Sequence, residues 1–228
     1  MSAHTVALLL ADARLPSGAH AFSAGLEPAL QGGLDPSEVP AFLRARTRTT
    51  TLVDAATAVV ARRVALDGGA LDGGALAAGT FTAVERAWAA RTPSAAARHA
   101  ARELGRGLLR LARALWPEST MISGVAPLAP RPIVLGAIAA HADLDAEDLV
   151  RLAVYDDVAC AVAALLKLEP GDPLDGVRLV LDACASVDPL VPHLAALTLP
   201  DAIPAASAPQ TEAWTEAHAA SNRRLFRA

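Results

Sequence analysis

Residues 94–117 read SAAARHAARELGRGLLRLARALWP, and their spacing decides the fold class. At about 100° per residue, Arg98, Arg102, Arg106, Arg110 and Arg113 fall within an arc of about 120°. Leu104, Leu108, Leu111 and Leu115 gather on the opposite side. This is the pattern of an amphipathic helix, with one face for a core and one for guanidinium groups. It begins after Thr92-Pro93 and is ended by Pro117, directly after Trp116. Gly105 and Gly107 form a lone G-x-G inside that pattern and read as points of close helix packing. A phosphate-cradling loop would require a preceding strand. The arginine face has two readings, a solvated polar surface or a dock for an acidic partner.

The composition agrees with helices. Of the 228 residues 53% are hydrophobic but only 4% aromatic, and alanine and leucine dominate the apolar share. Such a core favours packed helices over sheets. The expectation is an all-α, single-domain, multi-helix bundle around a buried central helix. A net charge of −4 argues against a nucleic-acid partner. The longest apolar run, 158–166, is too short for the roughly 20 residues of a membrane span. The opening MSAHTVALLLADARLP lacks a basic start and is interrupted by Asp12 and Arg14, so no signal peptide is expected. Cys160 and Cys184 lie far apart without C-x-x-C spacing, which reads as buried free thiols in the cytoplasm.

Outward from the arginine helix, further helices are expected at 3–13, 22–31 and 76–90. Asp35, Pro36 and Glu38 make a helix start with N-cap, first-turn proline and capping-box acid. The helix that follows is expected to bend at the threonine-rich RTRTTT. The duplicated LDGGALDGGAL at 66–76 reads as a loop between helices. An apolar helix is expected at 133–142. Asp145 then caps a long one, which runs through VACAVAALLKL and is apolar on every side, as suits the central buried helix. Residues 198–209 hold three prolines and read as a linker, and 211–228 as a final helix with a partner-binding tail.

Catalytic patterns are missing. The six histidines never form HxxxH or HExxH, and there is no G-x-S-x-G elbow and no Walker A sequence. Asp156 and Asp157 point to adjacent faces of their helix, which suits salt bridges better than acid–base work. No catalytic, cofactor-binding or metal-ligating residue is therefore assigned. Two segments stand out instead. LPSGAHAFSAGLE at 15–27 concentrates turn-forming residues around a phenylalanine and a glutamate. The chain end NRRLFRA places Leu225 and Phe226 among arginines, a form suited to anchoring in a partner's groove.

These segments resemble the UreF family of urease accessory proteins. The N-terminal signature matches at Leu15, Pro16, Gly18, Phe22, Ser23, Gly25, Leu26 and Glu27. GRGLLRLA in the arginine helix is similar to the family's G-x-x-LL-x-L. KLEPGDPLDGVRL at 167–179 is similar to its basic-L-x-P-LGQ stretch, with Lys167 at the basic position. His218 and Arg224-Leu225-Phe226-Arg227 are similar to its H…RLF-x-S ending. The chain departs from the pattern at Gly171-Asp172-Pro173, Val177 and Ala228. The resemblance implies an all-helical accessory protein, not an enzyme, that binds no cofactor itself. It implies a UreD/UreH-type partner and, through that pair, a UreG-type GTPase that it regulates. The assembly docks on apo-urease and handles the nickel. The resemblance further implies a homodimer, with partner contacts at the signature residues, Lys167, His218 and the tail. Leu225 and Phe226 are expected to bury in the partner, with Arg224 and Arg227 at the rim, so that removing the tail leaves stability unchanged. The rival class, an all-helical DNA-binding regulator reading DNA through the arginine helix, lacks a recognisable helix-turn-helix.

Overall fold

A computed structural model describes residues 2–71, 76, 79–222 and 225–226. In chain order the helices are α1 (Ala3–Ala11), α2 (Leu26–Gln31), α3 (Val39–Thr47), α4 (Thr50–Leu71), α5 (Thr82–Ala90) and α6 (Ala95–Leu115). They continue with α7 (Thr120–Ser123), α8 (Arg131–His141), α9 (Ala146–Leu168), α10 (Pro173–Ala185), α11 (Val191–Ala195) and α12 (Pro209–Ala219). Among the described residues there is no strand, and the all-α expectation holds.

Local chemistry sets most helix ends. The Ser94 hydroxyl accepts from the Ala97 amide to start α6, and Asp145 accepts from Glu147 and Asp148 to start α9. Asp35 and Glu38 form the expected capping box, over a short 3₁₀ turn. The threonine-rich stretch breaks the helix into α3 and α4. There Thr47 and Thr49 turn their hydroxyls back onto the carbonyls of Arg44 and Ala45, competing with the helical ladder. The expected loop at 66–76 begins later than the sequence suggests, since α4 carries on through Gly68 to Leu71. Residues 72–75 lie outside the described ones.

The enclosed helix is α8, not the apolar stretch of α9. Every residue from Pro132 to Ala140 is buried, whereas α9 leaves Ala163 exposed and Leu165 and Leu166 half-buried. Gly136 makes this possible, because a Cβ there would run into the Ala58 carbonyl of α4. The two backbones therefore approach closely, and α4, α6, α7 and α9 surround α8.

In α6 the buried arc holds Gly105, Leu108, Leu109 and Ala112, while Leu115 is exposed. That arc is rotated by about 80° from the leucine stripe, toward the arginines. The rotation brings some of them into use within the chain. Arg98 donates to the Thr92 and Pro93 carbonyls, Arg113 donates to Val125, and Arg102 pairs with Glu85 at 3.0 Å beneath the Trp88 ring. Arg106 pairs with Glu103 and stays exposed, as does Arg110. Both glycines pack as expected. A Cβ on Gly105 would meet the backbone at 129–131, and one on Gly107 would meet the Ser17 carbonyl.

The chain end is tied back to the body. Glu216 of α12 accepts from the Ser94 hydroxyl and the Ala96 amide, adding its charge to the N-terminus of α6. Trp214 stacks on Gly32, where a Cβ would collide with it. The segment expected as a linker is also pinned, with Ile203 buried and Arg91 donating to the carbonyls of Ile203 and Asp201.

Candidate functional site

The signature segment is shaped by its backbone. Gly18 turns the chain at φ 88°, and a 3₁₀ turn at Ala19–Ala21 leads to buried Phe22 and Ser23. Ala24 and Gly25 then both take positive φ, 50° and 79°. Glycine does this freely, but an alanine there costs roughly 1–2 kcal/mol. The helix expected at 22–31 therefore starts only at Leu26. Ser23 accepts from the Glu27 amide at 3.3 Å and so helps to start the short α2.

That reversal carries the Glu27 side chain inward, where it is 3% exposed. Its carboxylate receives the tail. Oε1 accepts from the Leu225 amide at 2.7 Å and from Gln31 Nε2 at 3.1 Å, and Oε2 accepts from the Phe226 amide at 2.8 Å. His218 Nε2 of α12 lies 3.1 Å from Oε2, without hydrogen-bond alignment. Two successive backbone N–H groups on one buried carboxylate are strong, charge-assisted bonds. Phe226 is 5% exposed, and Lys167 Nζ sits 5.3 Å from its ring centroid, a cation–π contact. Leu225 faces the other way and is 66% exposed.

The expected partner-binding residues thus separate into groups. Ser23, Glu27, Lys167, His218, Leu225 and Phe226 meet in one seat, and buried Leu26 supports it from the core. Half-buried Leu15, exposed Pro16 and Gly18 flank Ser17, whose carbonyl meets α6 at Gly107, apart from the tail. Arg224 and Arg227 lie outside the described residues. In the isolated chain Phe226 is buried in the chain itself, where a partner's groove was the expected place for it. Gln31 was missed, although its place four residues after Glu27 on α2 was the available signal.

A second polar centre was also missed. Arg46 donates to both oxygens of Asp157 at 2.8 and 2.7 Å, Thr51 donates to Asp157 at 2.6 Å, and Arg131 donates to Asp156. Both adjacent aspartates are salt-bridged, as their helical positions suggested. Beside them Trp88 Nε1 donates to Asp54 Oδ1 at 2.8 Å. Burial pushes the Asp54 carboxyl up to about 6, and the neighbouring Asp157 charge adds to the shift, against the Trp88 bond. Burial likewise raises the Cys160 thiol to about 12, consistent with an inert sulfur packed on the Phe22 carbonyl. Among the described residues, no three of His, Cys, Asp and Glu converge to hold a metal ion, and no helix is long and apolar enough to cross a membrane.

Known proteins place the chain in a family. The family model described as UreF matches residues 34–184. The urease accessory protein UreF of Mycobacterium bovis (strain BCG / Pasteur 1173P2) is 39% identical over 182 residues, covering 75% of this chain and 77% of that protein. Its counterpart in Mycobacterium marinum (strain ATCC BAA-535 / M) is 38% identical over 182 residues, 77% of each. The one in Mycolicibacterium vanbaalenii is 37% identical over 202 residues, 86% of each. With most of its length aligned at this identity, the chain belongs to the UreF family of urease accessory proteins.

Proposed function

We propose that this chain acts as the binding scaffold of a cytoplasmic urease-maturation assembly, and that its partner surface is the seat where its two ends meet. The observation that carries this reading is the buried Glu27 carboxylate, which joins the signature and residues 225–226 into one continuous surface. Exposed Leu225 and Lys167 stand at its edge, an apolar anchor beside a cation. The UreD/UreH-type protein binds this composite surface, with the tail closed on its own chain before the partner arrives. The UreG-type GTPase and apo-urease engage through that pair, and nickel is cargo of the assembly. Exposed Arg106 and Arg110 remain available to an acidic partner, and through such contacts the scaffold regulates the GTPase. A homodimer forms through α10, where Leu174, Val177 and Leu181 recur on one helical face and are exposed.

The test is co-purification with the UreD/UreH-type and UreG-type proteins of the same organism. Full-length chain is expected to co-elute with them, and Glu27→Gln and a chain ending at Asn222 are expected to fail. Equal recovery with all three would overturn the composite surface. Failure of all three, with soluble partners, would overturn the scaffold reading.

A further inference from the structure

We propose that the cavity between the signature, α4, α6, α8, α9 and α12 is a binding site for a small primary ammonium ion with a compact apolar tail, held by Asp54. The cavity measures about 150 Å³. A dry apolar hole of about that size holds a molecule such as benzene, so about six non-hydrogen atoms fit. Phe22, Leu104 and Leu135 give it an apolar wall, and Asp54 stands in the lining beside the Trp88 indole. A mostly apolar pocket with a few polar groups is the usual form of a small-molecule site.

The charges of the lining select a cation. Asp54, Asp156, Asp157 and Glu212 stand against Arg46, Arg91 and Arg131, which leaves one negative charge in excess. The arginines are all engaged. Arg46 spans both oxygens of Asp157, Arg131 pairs with Asp156, and Arg91 donates to the carbonyls of Ala87, Asp201 and Ile203. Of the three aspartates, Asp54 alone has no cation among the described residues, and its one donor is the Trp88 indole N–H on Oδ1. Oδ2 has no donor there, yet it is not sealed in, since the fully enclosed unpartnered atoms belong to Thr50, Arg131 and His218. It therefore opens onto the cavity that Asp54 lines, whereas Thr50 Oγ1 and Arg131 Nη1 are closed off from it. Burial raises the Asp54 carboxyl to about 6, the response of a charge short of compensation, which a bound cation supplies. A primary ammonium brings three N–H donors and asks for no donor in return. A divalent metal ion wants about six oxygen ligands, and the apolar wall offers none. An anion would meet the excess negative charge, and an uncharged head would leave it standing.

Isopentylammonium matches the size and charge, with 3-methylbutan-1-ol as its neutral isostere and 3-methylbutanoate as the anion. Each would be titrated into the full-length protein at about 0.15 M salt, which screens exposed carboxylates. Saturation-transfer NMR and fluorescence follow binding, since Trp88 lies in the cavity wall. Isopentylammonium is expected to saturate near about 1 mM, in line with the efficiency of small ligands, and at least about tenfold more tightly than the alcohol or the acid. Asp54→Asn keeps an oxygen for the Trp88 indole and removes the charge. It is expected to weaken the ammonium about tenfold and to leave the alcohol unchanged, a split that a general loosening of the fold would not produce. Ala101→Leu fills the apolar side and is expected to weaken both about tenfold. The two variants act on different parts of the lining, so one that fails to fold leaves the other as the test. Absence of saturation by isopentylammonium up to about 50 mM would mean that only water occupies the space and would overturn the proposal. So would equal or tighter binding of the alcohol or the acid, or unchanged ammonium affinity in a folded variant. No partner protein enters this experiment, so its outcome is independent of the scaffold reading.

Discussion

Buried Glu27 and half-buried Asp54 are both carboxylates set against tryptophan- or histidine-bearing helices, yet they have opposite surroundings. Glu27 receives two backbone amides and a glutamine, with a histidine close by, and every one of those donors comes from the seat itself. Asp54 has one indole N–H, stands beside the charge of Asp157 and borders a cavity. A carboxylate surrounded by donors closes a structure and fixes what it touches. One that is short of donors shifts toward its neutral form and leaves space for chemistry. The seat is therefore a joint, and the Asp54 centre is held by far fewer contacts.

The comparison can be broken most severely at Glu27. Glu27→Gln places an NH₂ group against a backbone N–H, and it is expected to weaken tail seating by about 4 kcal/mol, the scale for breaking a buried charged hydrogen-bond set. Hydrogen exchange at the Leu225 and Phe226 amides reads this directly, and retained protection would refute the joint. Phe226→Ala removes the buried anchor and is expected to cost about 3 kcal/mol, with proteolysis beyond Ala219 accelerating as the tail frees. If thermal stability and proteolysis match the wild type, Phe226 is not seated as described.

The same comparison sharpens at Asp54 through pH. Its carboxyl is raised from 3.8 to about 6, so the fold favours the protonated form. Stability from this group is fully present below about pH 4 and is lost as pH rises through about 6. Asp54→Asn keeps an oxygen for Trp88 and removes the ionisation. It is expected to stabilise the protein by about 2 kcal/mol at pH 8 and by little at pH 4. Denaturant titrations at both pH values check this, and equal differences would show that Asp54 is not shifted. The smallest effect is expected on α10. Leu181→Lys should change stability by less than about 0.5 kcal/mol, being exposed, while shifting the sedimentation of any dimer toward monomer. An unchanged oligomeric state would remove α10 as the interface.

Much of the fold was legible because it is local. The Asp35 capping box, the Asp145 cap and the threonine break each depend on residues within a few positions. Enclosure was harder to read. The run at 158–166 is apolar on all sides, but full burial belongs to α8, where Gly136 admits the α4 backbone and four helices close round. For the same reason the true buried arc of α6 is displaced from its leucines. Its position is set by where the 129–131 and Ser17 backbones approach the two glycines. Apart from Gln31, the residues of the seat were found through family resemblance, but that the tail occupies it within the same chain was not. The cavity gave no periodic signal at all, because Trp88 is 34 positions from Asp54 and Arg46 is 111 positions from Asp157.

The Leu225 amide that Glu27 binds lies 198 positions further along the chain. At synthesis rates of about 5–20 residues per second, the signature emerges roughly 10–40 s before its occupant exists. For that interval the bundle presents an open Glu27 socket, and a chain that stops short of Leu225 keeps it open. Closing the seat is therefore a late event of synthesis, after the helices between its two halves have emerged.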